Sequence, residues 1–479
     1  MASSLRYQIR IRDLVHGFVH LTELEEKIID HPLFQRLRHI RQNDVACYVY
    51  PSLNTSRFEH SLGVAHVAGR MAENLTLGKN WKNYQKDLED KSPENFVQIC
   101  RVYGLLHDVG HLPLSHLFEM AFEDYAHGSS PNEPLSKVTK KWFSDGGFTK
   151  LHEAAGAKIA SKILNDTKIK APDVIKKEAL LLLGSKKIAP ENPIRVIKLL
   201  IDSEIDADRI DSTARDGILA GGEYGNYDIE RLCTSTHICK EDGKWVLAYS
   251  SKSLNSIESL LLDRYRIHNW VHFHHRVVAL KAATSLLIGY LLKKKKITKD
   301  SFPITKCEEM LFRDDVWLWN LLRSEAVDQN DADVMRSRDA LFERKKSGII
   351  LLWKNRTQYQ KYHQQLEKKL TLRKELPTPQ KFGRAYEKFL SNKISLKSLV
   401  FWLPFQPHGQ AKIRLIQEHG NGTEFEDDAL NSSPLLRSLK DVWEKEPNYY
   451  IIIFGKANSD RDKLKEKCLE ATKEWIESK

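Results

Sequence analysis

Three short stretches of this 479-residue chain carry side chains suited to holding a divalent cation. His107 and Asp108 close the apolar run Val102-Tyr103-Gly104-Leu105-Leu106. An imidazole and a carboxylate side by side are ligand types for a divalent transition metal. Such a doublet is common by chance, and its weight comes from its company. His60 stands upstream in Arg57-Phe58-Glu59-His60-Ser61-Leu62-Gly63, and Asp208 downstream in Ile205-Asp206-Ala207-Asp208-Arg209-Ile210-Asp211. His60, His107, Asp108 and Asp208 thus make one His-His-Asp-Asp set. Four protein ligands leave positions open for water and a phosphate oxygen, the arrangement of metal-assisted hydrolysis. Imidazole mixed with carboxylate suits Mn, Fe, Zn, Ni or Co, one ion per chain, and suits Mg less well.

A second group follows the doublet. His116 and Glu119 are three apart and share one helix face. A carboxylate against an imidazole fixes its tautomer and raises its pKa, which makes a better proton donor. His111 precedes this pair, and His152 opens His152-Glu153-Ala154-Ala155-Gly156. Further on, Asp208, Ser212 and Asp216 fall on one face at steps of four, with Arg209 beside them. Arg264, His268 and His272 repeat that step.

Helices must carry most of these residues. Phe96, Val97, Cys100, Tyr103 and Leu106 recur at helical spacing before His107, and Leu62, Ala65, Val67 and Ala68 do so after His60. A long helix is expected over 257–275, with 300–395 again helical and charged. Residues 78–94 and 126–147 read as exposed insertions, the second placed to act as a lid. A hairpin is expected near 231–249 around Glu241-Asp242-Gly243. Beyond residue 395 the period changes to strands at 399–403, 412–416 and 449–454, with helices at 434–445 and 460–477. The expected organisation is a mainly α body over 1–290, a helical extension over 291–395, and a small α+β lobe over 396–479 whose edge offers a subunit contact.

Hydrophobic content of 41% and charged content of 29% are those of a globular protein. No run approaches the ~20 apolar residues of a membrane span, and residues 1–7 lack a signal core. The six cysteines are scattered, as in a reducing cytoplasm. A net charge of +11 favours polyanionic partners. Lys293-Lys294-Lys295-Lys296 reads as a solvated helix end rather than a nucleic-acid patch.

The ligand set is the signature of the HD-domain metal-dependent phosphohydrolases. Ile11-Arg12-Asp13-Leu14-Val15-His16-Gly17, His31-Pro32-Leu33-Phe34-Gln35-Arg36-Leu37-Arg38 and the His60 segment resemble the deoxynucleoside triphosphate triphosphohydrolase branch, the SAM-and-HD-domain and dGTPase-like enzymes, over about residues 8–290. The resemblance implies hydrolysis of deoxynucleoside triphosphates to deoxynucleoside and tripolyphosphate. It implies that His116, supported by Glu119 where the family has Asp, protonates the leaving oxygen. It places His111 and His152 in the site, gives Arg57, Arg209, Arg264 and His152 to the phosphates, and gives Gln42 and Asp216 to the sugar 3′-hydroxyl. Three positions depart from the pattern: Ser212, and His272 or its neighbour Phe273, stand where the family has tyrosine, and Asn43 where it has leucine. The family works as nucleotide-activated tetramers or hexamers, so a homo-oligomer is implied. The competing reading is an HD-type phosphodiesterase or nuclease acting on nucleic acid or a signalling nucleotide, for which a broad basic track and strong salt dependence are expected. A catalytically dead binding module is a third.

Overall fold

The computed structural model describes residues 5–90, 92–129, 135–143, 148, 150–184, 188–343, 349–360, 379–394, 397–402, 412–419, 422–443, 449–454 and 461–477. Within the insertion expected over 126–147, residues 130–134 and 144–147 lie outside the described residues. Chain order begins with an antiparallel ribbon of β1 (Tyr7–Asp13) and β2 (Gly17–Thr22), whose loop carries His16. After short helices at Glu23–Ile29 and Pro32–Gln35 comes α1 (Arg57–Leu77), the longest of the described helices, started by a capping box in which Ser56 and Glu59 satisfy each other's backbone N–H groups. This fixes His60 in the first turn. Helix α2 (Pro93–Leu106) follows, with Pro93 at its first position and Ser92 as N-cap, and His107 at its C-terminal cap.

The two helices pack closely because Gly104 has no side chain. A Cβ there would sit 2.9 Å from Ala65 Cα. Gly110 makes a second close approach, this one to α4 (Leu151–Leu164) beyond α3 (His116–Ser129), where a Cβ would lie 2.1 Å from His152 O. These glycines bring three helix ends to one place. The third ligand segment opens α5 (Ala207–Leu219). Its N-cap, Asp206, accepts a hydrogen bond from Arg209 N at 2.7 Å, so Asp208 falls in the first turn.

The expected hairpin forms as β3 (Thr236–Glu241) and β4 (Lys244–Ser250), with Asp242 and Gly243 both at positive φ. The expected continuous helix over 257–275 does not form. Helix α6 (Leu254–Ile267) runs into a π turn at His268–His272, and α7 (His275–Lys293) starts afresh. The wider turn breaks the four-step face that joined Arg264 to His272. Helix α7 is the one described helix long and apolar enough to cross a membrane, contrary to the sequence expectation. It is a core helix here: Val277, Leu287 and Leu291 are fully buried, and Lys281 pairs with Asp44 at 3.2 Å. It ends at Lys293, and Lys296 pairs with Glu325, as expected of a solvated helix end.

Helix α8 (Asp315–Ser324) packs beside this body. The C-terminal strands form, but in two different sheets. Strands β5 (Ile349–Leu351), β6 (Lys397–Trp402) and β9 (Tyr449–Phe454) make one antiparallel sheet, in the order β5-β9-β6. Between β6 and β9 in sequence lie β7 (Arg414–His419) and β8 (Gly422–Asp428), an antiparallel pair that extends the β3–β4 hairpin through a parallel β4–β7 contact. Part of the C-terminal segment is therefore knitted into the body that holds the site. Helices over Pro434–Trp443 and Arg461–Glu477 complete the chain.

Candidate active site

His60, His107, Asp108 and Asp208 converge. His60 Nε2 lies 3.0 Å from Asp208 Oδ1 and 3.6 Å from Asp108 Oδ2, and His107 Nε2 lies 3.4 Å from Asp108 Oδ2. The two imidazoles meet edge to face, 5.5 Å apart. Each uses Nδ1 elsewhere: His60 on Asp211 Oδ2 at 2.8 Å, His107 on Gly104 O at 2.7 Å. The carbonyl makes His107 Nδ1 the donor, so the Nε2 lone pair faces its neighbours. Both Nε2 atoms are buried without a hydrogen-bond partner. Buried polar atoms are seldom left orphaned. Two orphaned imidazole nitrogens facing two carboxylates fit a bound cation.

The electrostatics agree. Burial disfavours a charged His60, but the carboxylates of Asp208 and Asp211 outweigh it and push its pKa up to about 10. A pocket that attracts a proton this strongly suits a cation, which takes the proton's place. Asp108 is buried, yet Arg57 and the neighbouring imidazoles hold its carboxyl well below the usual range.

A supporting network lies behind the ligands. Asp211, fully buried, meets His60 Nδ1, His16 Nε2 at 2.7 Å, and Arg215 through two nitrogens at 2.8 and 3.0 Å. Arg215 continues to Asp13 at 3.0 Å. Asp13, His16, Asp211 and Arg215 all stand in the sequence motifs, where none of them carries an assigned role. The available signal was the opposite-charge pair Asp211 and Arg215, four apart on the helix of Asp208.

The second cluster is also assembled. Glu119, 5% exposed, accepts from His152 N at 2.8 Å, contacts His152 Nδ1 at 2.8 and 2.9 Å, and lies 3.2 Å from His116 Nδ1. The longer side chain thus spans two histidines where one was expected. His116 is half exposed, yet burial outweighs Glu119 and lowers its pKa, against the rise expected from the pair. His111 Nε2 lies 3.2 Å from Asp108 Oδ1, linking the clusters. Burial and Arg57 hold His111 well below its usual pKa. Polar atoms of His111, His116, Glu119 and His152 approach within 4.8 Å, close enough for a metal. Their orientation argues otherwise: the His111 and His152 rings stack 4.2 Å apart at 18°, so their in-plane lone pairs run nearly parallel and do not converge. Imidazoles in contact with a carboxylate are groups able to hold and pass protons.

A cavity of about 360 Å³ opens on both clusters, lined by His107, Asp108, Asp208, His111, His116 and His152 among others. Gln42 and Arg57 also line it. Gln42 Oε1 is buried without a partner. Arg57 spends one nitrogen on Asp108 and another on Ser115 Oγ at 2.9 Å, so it positions a metal ligand as well as facing the cavity. Arg209, Ser212, Asp216, Arg264 and His272 are not among the lining residues. Arg209 pairs with Glu204 at 3.0 Å. Arg264 is half-buried near it, its pKa pushed down to about 10 by loss of solvent. Asp216 is 4% exposed, with Asn43 Nδ2 at 2.7 Å on one oxygen and His272 Nε2 at 3.1 Å on the other. Two of the three departures from the family pattern therefore close on the same carboxylate.

Residues 57–216 match the HD domain family model. The chain is 30% identical over 267 residues to an uncharacterised protein of Methanocaldococcus jannaschii, covering 56% of this chain and 46% of that one. It is 28% identical over 283 residues to deoxynucleoside triphosphate triphosphohydrolase SAMHD1 of Bos taurus, and 27% over 286 residues to its Homo sapiens counterpart, in each case over 55% of this chain. These alignments span 44% and 41% of the two SAMHD1 proteins, so the chain covers less than half the length of all three relatives. A crystal structure of a hypothetical protein from Aquifex aeolicus superposes with a TM-score of 0.61 at 22% identity, covering 97% of this chain and 99% of that one, and shows the same fold. The mainly α body that brings His60, His107, Asp108 and Asp208 together thus carries a match to the HD domain over residues 57–216 and is similar to those triphosphohydrolases over about half of the chain.

Proposed function

We propose that this protein hydrolyses deoxynucleoside triphosphates to deoxynucleoside and tripolyphosphate with a divalent metal. The observation that carries the reading is the pair of orphaned Nε2 atoms of His60 and His107, facing Asp108 and Asp208 at one end of a cavity that the proton-handling cluster also lines. The SAMHD1 proteins, named for this reaction, are its support at family level. When bound by these four residues, a divalent cation supplies Lewis-acid polarisation of a phosphoryl oxygen and an activated water. The remaining work falls to the chain. Arg57 fixes Asp108, and Asp211 fixes His60. Glu119 holds His152 and His116, and the half-exposed His116 delivers the proton to the leaving 5′-oxygen. Gln42 meets the sugar.

Regulation and assembly belong to the same proposal: a homo-oligomer, tetramer or hexamer, switched on by nucleotide. A second cavity of about 420 Å³ supports it, lined by Lys79, Arg231, Lys252, Ser235, Ser250 and other residues, none of them acidic. Cations with hydroxyls suit a polyphosphate.

One observation favours the phosphodiesterase alternative: Arg209 and Arg264, the arginines expected on the phosphates, lie off the cavity. Incubating the protein with each dNTP, each NTP and a phosphodiester series plus Mn, and separating nucleosides from nucleotides by chromatography, decides between them. Deoxynucleoside with tripolyphosphate supports the proposal. Cleavage of diesters alone rejects it.

A further inference from the structure

We infer that Asp315, on helix α8 outside the HD domain, is a positioning residue that locks the turn between the metal doublet and His116. The inference rests on the proposed reaction for its kinetic consequence, and on geometry for its existence.

The turn is an awkward one. Leu114 and Ser115 are both in the left-handed region, with φ of 59° and 52°. Two successive non-glycine residues there are strained and persist only where the surroundings impose them. The turn nevertheless sets where His116 starts α3, and it is fixed from several sides. Asp315 is 4% exposed. Its Oδ1 accepts from Leu114 N at 2.7 Å, and its Oδ2 accepts from Arg41 N at 3.0 Å. One carboxylate thus ties the turn to the residue preceding Gln42. Ser115 Oγ completes the tie, donating to Arg41 O at 2.7 Å and accepting from Arg57 Nε at 2.9 Å.

Arg36, fully buried, makes a parallel brace. It donates to Val109 O and His111 O at 3.0 and 2.8 Å, and to Arg313 O at 3.0 Å, two residues before Asp315. Residues 313–315 therefore grip both ends of the segment carrying His111 and His116, although the matched HD domain ends at residue 216. Burial pushes the Asp315 carboxyl up to about 6. Keeping it ionised at neutral pH works against folding, which is a poor use of a carboxylate whose only task is stability.

The test compares wild type with Asp315→Asn, which keeps the size and one acceptor, and Asp315→Ala, which keeps neither. Amide hydrogen exchange over residues 41–42 and 112–116 should quicken at least several-fold in Asn and more in Ala, with α1 and α2 unchanged. Metal content and thermal midpoint should stay near wild type. With dNTP, kcat should fall by about 10²-fold in Ala with KM little changed, the effect of an ångström-scale misplacement. Wild-type exchange and kcat in both variants would overturn the inference, as would loss of protection across the whole helical body. If wild type itself hydrolyses no nucleotide, the proposed function fails, while the exchange result still decides the role of Asp315.

Discussion

The two histidine clusters beside Asp108 use the same side-chain types and differ in how the rings are oriented. In the His60 and His107 pair the rings meet edge to face, and both Nε2 atoms face carboxylates unsatisfied. In the His111 and His152 pair the rings stack, and Glu119 binds His152 through Nδ1. Residue identity alone cannot tell a metal ligand from a proton carrier. Which nitrogen is already spent, and where the other points, can.

The sharpest way to break this comparison is to remove one ligand. His107→Ala or Asp208→Ala should abolish both bound metal and hydrolysis while leaving the far-UV spectrum of the helices intact. Full activity of Asp208→Ala in the presence of chelator would end the metal assignment. A change in the second cluster should separate the two properties. Glu119→Gln is expected to lower kcat by about 10²–10⁴-fold with metal content unchanged. If metal is lost with it, the cluster is a ligand set after all. The network behind the first cluster should give a smaller effect: Asp211→Asn should weaken metal binding by about 10–100-fold, read by titration with Mn.

The sugar contact is expected to be smaller again. With Asp216 occupied by Asn43 and His272, rejection of ribonucleotides should be incomplete, and dATP should exceed ATP. Asn43→Leu should shift that ratio further toward dATP by roughly tenfold, the scale of a packing change. Equal turnover of dATP and its 2′,3′-dideoxy analogue would show that neither Gln42 nor Asp216 senses the 3′-hydroxyl.

The smallest effect concerns pH and stability. His66 sits beside His16, and burial pushes its pKa down to about 3. It is neutral in the fold and takes up a proton near pH 6.5 when unfolded. Its contribution is complete above about 6.5 and declines as pH falls toward 3, by roughly 1.4 kcal/mol per unit. Urea melts at pH 7 and 5.5 should show this decline, and His66→Phe should lessen it.

Much of this was legible before any coordinates. His60, His107, Asp108 and Asp208 announce themselves because each sits in a short, chemically marked segment. The helices around them follow from apolar spacing, and the β3–β4 hairpin from Asp242-Gly243. What was hidden depends on contacts far apart in sequence. Nothing local shows that His16 reaches Asp211, or that Asn43 and His272 meet on Asp216. The π turn at His268–His272 was missed because its residues keep a plausible α spacing and only tertiary packing widens it. The C-terminal strands were legible as strands, but pairing partners are a global property, and β7 chose β4 over its sequence neighbour β6.

That choice bears on how the chain is made. While synthesis proceeds from the N-terminus, the helical body with its metal ligands is complete long before residue 416 emerges. Until then the end of β4, at Tyr249 and Ser250, lacks the neighbour that β7 supplies through Leu415 and Ile416. A short unpaired stretch of strand edge is thus the part of this flank that the late-made segment covers.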